Sequence, residues 1–382
     1  MKARAVWGIR AVAAFCAVAA CAIVTPAWCG ADADRWLDGD RVLGRSLADE
    51  AIAFEDQDDA AQPPASTNRF AGEWALVTHQ MTALGLAQLC LAHPEDRAAL
   101  APQVTRAAVK SFRKEMRRFG TDAWGGEDAM ASLGGSHGHA YLAYAALAIG
   151  MARLLDPAFP PALARQHDAL IAAYERRLLA SPTGLIETYP GEAYPTDTAA
   201  VAGAIAVHGR ATGSDHAKVL ARWAAMVQKV QIHTPSGFVY QHMDATTGKA
   251  HDAPRGSGTA LAAYFAGFAD RSVARQLAEG VFRHESTFSG FSAIREYADG
   301  STGHGDIDSG PVLLGVSVAA TGFALAPARA HGFRAAFERL YRTTDLFGAP
   351  ESHGGRLRFR SGGAFGDAFL LAMLTSGPEL AP

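Results

Sequence analysis

The sequence predicts an all-α protein whose helices form two concentric rings, an (α/α)6 toroid with apolar helices inside and amphipathic helices outside. Three observations predict it. Ala- and Gly-rich segments that are apolar almost all round recur six times, at Trp74–Ala92, His139–Leu154, Asp197–His208, Gly256–Phe268, Gly310–Leu325 and Phe365–Leu374. Amphipathic segments alternate with them at Arg97–Arg118, Ala162–Leu179, Asp215–Val230, Arg271–His284 and Ala328–Thr344. Strand signals are few, and Gly237–Gln241 and Leu357–Arg360 are short enough for hairpins in loops. A helix apolar on every side belongs in a buried layer, and an amphipathic one belongs in a layer that shows one face to water.

The apolar members begin near residues 73, 139, 197, 257, 309 and 365, at intervals of 52 to 66 residues. Such spacing is too irregular for a fixed-period solenoid and suits αα-hairpins with loops of varying length. A helical bundle without ring closure is the alternative architecture. At 382 residues, with 49% hydrophobic and 19% charged residues, the chain has material for a large core. The formal net charge is −3 and the longest basic run is Lys110–Arg118, which leaves no electrostatic footprint for nucleic acid.

The first thirty residues read as an export signal. Lys2, Arg4 and Arg10 precede a short apolar core, Ala11–Val24. Val18-Ala19-Ala20-Cys21 resembles a lipobox, which would make Cys21 a lipidated membrane tether; otherwise cleavage falls near Ala31. The expected location is therefore the periplasm or a membrane-anchored position outside the cytoplasm. Residues 31–69 form a polar lead-in with one possible helix, Asp34–Phe54, and residues 70–382 form the toroid domain. Cys16, Cys21 and Cys29 belong to the leader region, so Cys90 alone is certain to stay, and a disulfide framework is not expected.

The titratable and aromatic residues collect in the loops that precede the apolar helices. The stretch Gly303–Leu325 is the densest: His304, Asp306 and Asp308 stand directly before Ser309-Gly310-Pro311. Asp308 or Ser309 would cap a helix with Pro311 in its first turn. Other such loops carry Trp74, His137 and His139, then Glu187, Tyr189, Tyr194 and Asp197, and later Arg255, Arg295 and Glu296. Loops on the opposite side, such as Ala158–Pro161 and Ala211–Ser214, are plain. Asp197 reads locally as an N-cap, and Asp306, not needed for capping, reads as the freer carboxylate.

Paired carboxylates in a pocket suit acid–base chemistry, where one with a raised pKa donates a proton and an ionised one accepts a proton or stabilises positive charge. Glycoside cleavage uses such a pair. Asp306, Asp308, Glu187, Asp197 and His139 are the candidate catalytic residues, with Trp74, His137, Tyr189, Tyr194, Arg255, Arg295, Glu296 and His304 as candidate substrate contacts. No phosphate-loop or dinucleotide fingerprint occurs, so no cofactor is expected. His137, His139 and His304 are of ligand type, but nothing in their spacing brings them together, and no metal is expected. Gly134-Gly135-Ser136-His137-Gly138 fits G-x-S-x-G without the preceding strand that a nucleophile elbow needs.

The alternating helices resemble the six-hairpin toroid superfamily of glycosidases and polysaccharide lyases. A narrower similarity is to the linalool dehydratase-isomerase fold family: Gly138-His139 opens an apolar helix, and Glu187 precedes Tyr194-Pro195-Thr196-Asp197. The cysteines that family uses are absent, with Asp197 where one would stand. The first resemblance implies an exported carbohydrate-active enzyme, a hydrolase or lyase, with a glycan as partner. The second implies a cofactor-free lyase or isomerase acting on a hydrophobic alcohol, with His139 and Asp197 handling protons. A non-catalytic glycan-binding subunit is the third reading.

Overall fold

The computed structural model describes residues 22–57, 69–298, 303–306 and 309–380, of which most are helical. The helices form an (α/α)6 toroid. The inner ring runs Arg69–Ala92, Ala143–Leu155, Pro195–Thr212, Gly256–Ala266, the consecutive pair Val318–Phe323 and Leu325–Ala330, and Gly363–Thr375. Each packs on the next, and the last returns to the first, so the ring is closed. Arg97–Phe112, Pro161–Ala180, Ala217–Met226, Arg271–Phe282 and Arg334–Gly348 lie outside it, each packed on inner helices.

The sixth outer helix comes from the lead-in. Asp40 accepts from the backbone N–H groups of Val42 and Leu43 and starts the helix Arg41–Glu55, which packs on Gly363–Thr375 and Arg69–Ala92. The expected single helix Asp34–Phe54 is thus two, Ala33–Leu37 and Arg41–Glu55, broken at Gly39. At the base of the second, buried Glu55 meets His79 Nδ1 at 2.6 Å and Lys110 Nζ at 3.6 Å, tying three helices together.

Small side chains set the ring's spacing. A Cβ added at Gly85 would lie 2.5 Å from Leu371 Cγ and 3.0 Å from the backbone N of Ala372, so this helix pair approaches too closely for alanine. In Ala143–Leu155 every residue is buried except Arg153 and Leu154. Burial of each large apolar side chain contributes about 1.5–3 kcal/mol, which explains how helices with no polar stripe are held. Phe70–Ala92 is long and apolar enough to cross a membrane, yet it lies mostly buried within the ring.

The expected helix Gly310–Leu325 begins later than its Pro311 suggests. Gly310, Leu314 and Gly315 all have positive φ, and the chain turns back as a hairpin, Val312–Leu313 with Val316–Ser317. Ser317 then caps the helix by accepting from the N–H of Ala320 at 3.1 Å. Left-handed backbone at a residue with a Cβ breaks a helix, and here it overrides the proline signal. Asp308 lies outside the described residues, as do the leader up to Cys21 and its lipobox. Residues 22–29 are helical, and Cys29 is buried.

Candidate active site

The inner helices all bring their N-terminal turns to one mouth, where a cavity of about 400 Å³ opens. Its walls include Phe70, Glu73 and Trp74; Tyr144; Tyr194, Thr196 and Asp197; Ser257, Gly258 and Leu261; Phe323; and Phe365 and Phe369. Loops add Tyr189, Gln241, His242, Asp252 and Asp306. The volume lies within the range of small-molecule sites.

Asp197 is its most deeply placed carboxylate. The helix starts at Pro195 with Tyr194 at the N-cap, so Asp197 sits inside the first turn rather than capping it, contrary to the local reading. Pro195 takes the turn position where a missing N–H costs nothing. The Asp197 side chain is released to accept from Tyr144 Oη at 2.7 Å and Thr188 Oγ1 at 2.6 Å. Burial raises its pKa above the usual carboxylate value, and the two hydroxyls offset only part of that.

Asp306 is held differently. Ser309 donates its N–H to Oδ1 at 2.9 Å, and the N–H of Asp306 donates to Ser309 Oγ at 2.9 Å. Arg255 clamps the other oxygen through Nη1 and reaches Asp252 through Nη2. The guanidinium is buried, lies 5.6 Å from the Tyr297 ring centroid, and is kept charged by these two carboxylates against its desolvation. The cavity thus holds one carboxylate favoured as the acid and a second anchored beside a fixed cation.

Aromatic surfaces supply the rest. Tyr194 stacks on His242 with ring centroids 5.5 Å apart, and His242 stacks on His251 at 5.1 Å. Trp74 contacts Phe365 at 5.4 Å, and Phe365 contacts Phe369 at 4.7 Å. Trp74 lines the cavity and is 39% exposed, so part of its ring surface is open to a ligand. Flat apolar faces next to carboxylates suit a ring that is apolar on one side and rich in hydroxyls at its edge.

The structure therefore gathers Trp74, Tyr189, Tyr194, Asp197 and Asp306 at the cavity, with Arg255 behind Asp306. Several other candidates stand elsewhere. Glu187 lies in the short strand Glu187–Tyr189 and does not line the cavity. Glu296 is fully buried and accepts from Ser257 Oγ at 2.6 Å and Ser257 N at 3.2 Å, serving the start of the Gly256–Ala266 helix. Burial also raises its pKa. Arg295 packs its guanidinium beside Gly315, and His304 is exposed. His137 and His139 are outside the cavity wall and meet Glu127 instead. His139 and Asp197, the pair required for the hydrophobic-alcohol chemistry, therefore do not share the pocket.

Sequence reasoning placed Glu73 in a mouth loop without giving it a role, and it passed over Tyr144, Asp252, Phe365 and Phe369 as site residues. Tyr144 and the two phenylalanines sit in apolar helices and carry no local mark of function. Asp252 shares a loop with Arg255, three residues on, and that spacing was the available signal.

No protein-family model and no curated protein sequence matches this chain. Solved structures do. An inactive variant of an alpha-1,6-mannanase of Salegentibacter sp. HEL1_6, in complex with alpha-1,6-mannotetrose, superposes with a TM-score of 0.51 at 12% identity. The match covers 89% of this chain and 98% of that one. The toroid is common to both.

Proposed function

We propose that this chain is an exported, carbohydrate-active glycoside hydrolase that binds a glycan across the toroid mouth. The observation that carries the reading is Asp197: a buried carboxyl with a raised pKa, opening on a cavity that also presents exposed aromatic faces and the Arg255-anchored Asp306. In this reading Asp197, whose burial favours the protonated form, gives its proton to the leaving glycosidic oxygen. Asp306, held by Arg255, stabilises the positive charge that develops on the sugar ring or accepts a proton from water. Trp74 and Tyr194 stack on the sugar faces.

A mannanase of the same fold that holds a mannotetrose supports a glycan substrate. That protein's inactive form has two adjacent aspartates changed to alanine. Here the cavity carboxylates Glu73, Asp197, Asp252 and Asp306 come from separate segments, and the sequence's only adjacent pair, Asp58-Asp59, lies outside the described residues. The reading therefore assigns the chemistry to carboxylates brought together by the ring rather than by neighbouring positions in the chain.

The test is release of new reducing ends from a panel of polysaccharides that includes alpha-1,6-mannan, using wild type, Asp197→Asn and Asp306→Asn. Product formation lost in both variants, with their folds intact, supports the assignment. Unsaturated ends would mean elimination and overturn hydrolysis, and undiminished product in both variants would mean that other carboxylates act.

A further inference from the structure

Glu127, His137 and His139 bring three ligand-type side chains to one point outside the cavity. One ligand-type atom from each of the three lies within 4.8 Å of the other two. Both rings address the same atom: Glu127 Oε1 is 2.9 Å from His137 Nδ1 and 3.3 Å from His139 Nε2. Ser132 Oγ lies 3.1 Å from that same His139 nitrogen. Ligands about 2.0–2.1 Å from a tetrahedral ion stand roughly 3.3 Å apart, close to the separations of the two imidazoles from Glu127 Oε1.

The surroundings hold the rings in place. Trp124 packs against both imidazoles, with centroids 4.8 Å and 4.6 Å away. His139 is fully buried and takes a left-handed backbone, φ 51°, which aims its ring at Glu127 at the expense of local strain. Its Nδ1 has no hydrogen-bond partner, so the ring enters the cluster through Nε2 alone. Arg177 approaches the same loop, but its guanidinium is spent on the carbonyls of Gly138 at 3.0 Å and Ser132 at 3.3 Å.

We propose that Glu127, His137 and His139 form a site for a first-row divalent cation of the zinc type, with Ser132 or water as fourth ligand. Two imidazoles and one carboxylate match zinc's preferences, whereas calcium and magnesium take oxygen donors throughout. The site lies behind the loop that shapes the cavity. Gly138 packs against the backbone of Glu187, and Trp124 Nε1 donates to the carbonyl of Thr188 at 3.0 Å. Thr188 in turn donates to Asp197. A bound ion would pin residues 124–139 and, through Trp124, the loop that holds Asp197.

Tag-free protein, stripped with a chelator and desalted, would be titrated calorimetrically with zinc chloride and separately with calcium chloride. The expected result is one saturable zinc per chain in wild type and at least tenfold weaker binding in Glu127→Gln and in His137→Ala. Both changed residues are partly exposed, so circular dichroism should show unaltered folds. Hydrogen exchange in residues 124–139 should slow with zinc in wild type only. No saturable zinc binding, equal binding by both variants, or calcium bound as tightly as zinc would overturn the proposal. None of these readouts depends on glycan cleavage, so this site can fail while the proposed hydrolase activity stands.

Discussion

Replacing Asp197 with asparagine separates two consequences of its burial. The carboxyl is 7% exposed and is deprived of water in its charged form, which raises its pKa. The native state therefore holds this proton more tightly than the unfolded chain does. The stability that goes with it is fully present below the unfolded pKa of about 3.9 and is lost as pH rises through the folded value. Asparagine has no charge to desolvate. Its oxygen keeps the Tyr144 bond, and its amide donates to Thr188, whose hydroxyl can turn to accept. That exchange changes stability by less than about 1 kcal/mol, or about 2–4 °C in Tm at most. Thermal unfolding from pH 4 to pH 8 should thus show the variant slightly below wild type at low pH and level with it or above it at high pH. Subtracting one curve from the other cancels the other raised carboxylic acids, Glu296 and the pair Asp345 and Asp367, the last two each pushed up by burial to about 6. Reducing-end release should fall by roughly a hundred- to ten-thousand-fold in the same preparation, the usual contribution of a positioned proton donor. A difference curve flat with pH would refute the raised pKa, and unchanged product release would refute the catalytic role.

Gly138→Ala should displace the loop behind Asp197, because the new Cβ would lie 2.1 Å from the carbonyl oxygen of Glu187. We expect a loss of about 1–3 kcal/mol in chemical denaturation with a fall in turnover, and unchanged stability would show that the loop gives way freely. Arg255→Lys removes the fork that spans Asp252 and Asp306, since an ammonium is a single point charge. Both carboxylates are about one-third exposed, so stability should drop by only about 1 kcal/mol while glycan turnover drops at least tenfold; equal turnover would remove Arg255 from the site. Leu147→Ala, at a fully buried inner-ring position, should cost about 2–5 kcal/mol in denaturant unfolding with cleavage unchanged below the transition, and a cost under 1 kcal/mol would mean that the ring closes around the void.

The inner ring was legible because its helices have nowhere to show a polar face. A run such as Ala143–Leu155 fits only a layer covered on both sides, and six such runs alternating with amphipathic partners leave few arrangements besides two rings. The sixth outer helix was less legible. Arg41–Glu55 reads alone as part of a polar lead-in, and its partner, Gly363–Thr375, lies at the other end of the chain. Only closure of the ring pairs them. The helix expected at Gly310 failed for a local reason: its start signals are real, but the positive φ at Leu314 and Gly315 turns the chain before a helix can form.

The site was half legible, and the division follows chemistry. Residues standing out in the loops before inner helices, Trp74, Tyr194, Asp197 and Asp306, do reach the cavity, because parallel inner helices deliver all their N-terminal loops to one mouth. Residues hidden by their surroundings were missed. Tyr144 looks like core until its hydroxyl is seen to hold Asp197, and Phe365 and Phe369 look like core until they are seen to line the wall. Glu127 is the sharpest case, lying ten residues from His137 with no periodic pattern to relate them. Only the fold puts its carboxylate between two imidazoles, one of them reaching it from a left-handed backbone at His139. What placed this cluster beyond reach of sequence reasoning, the folding back of one irregular loop, is also what seats it directly against the segment that holds Asp197.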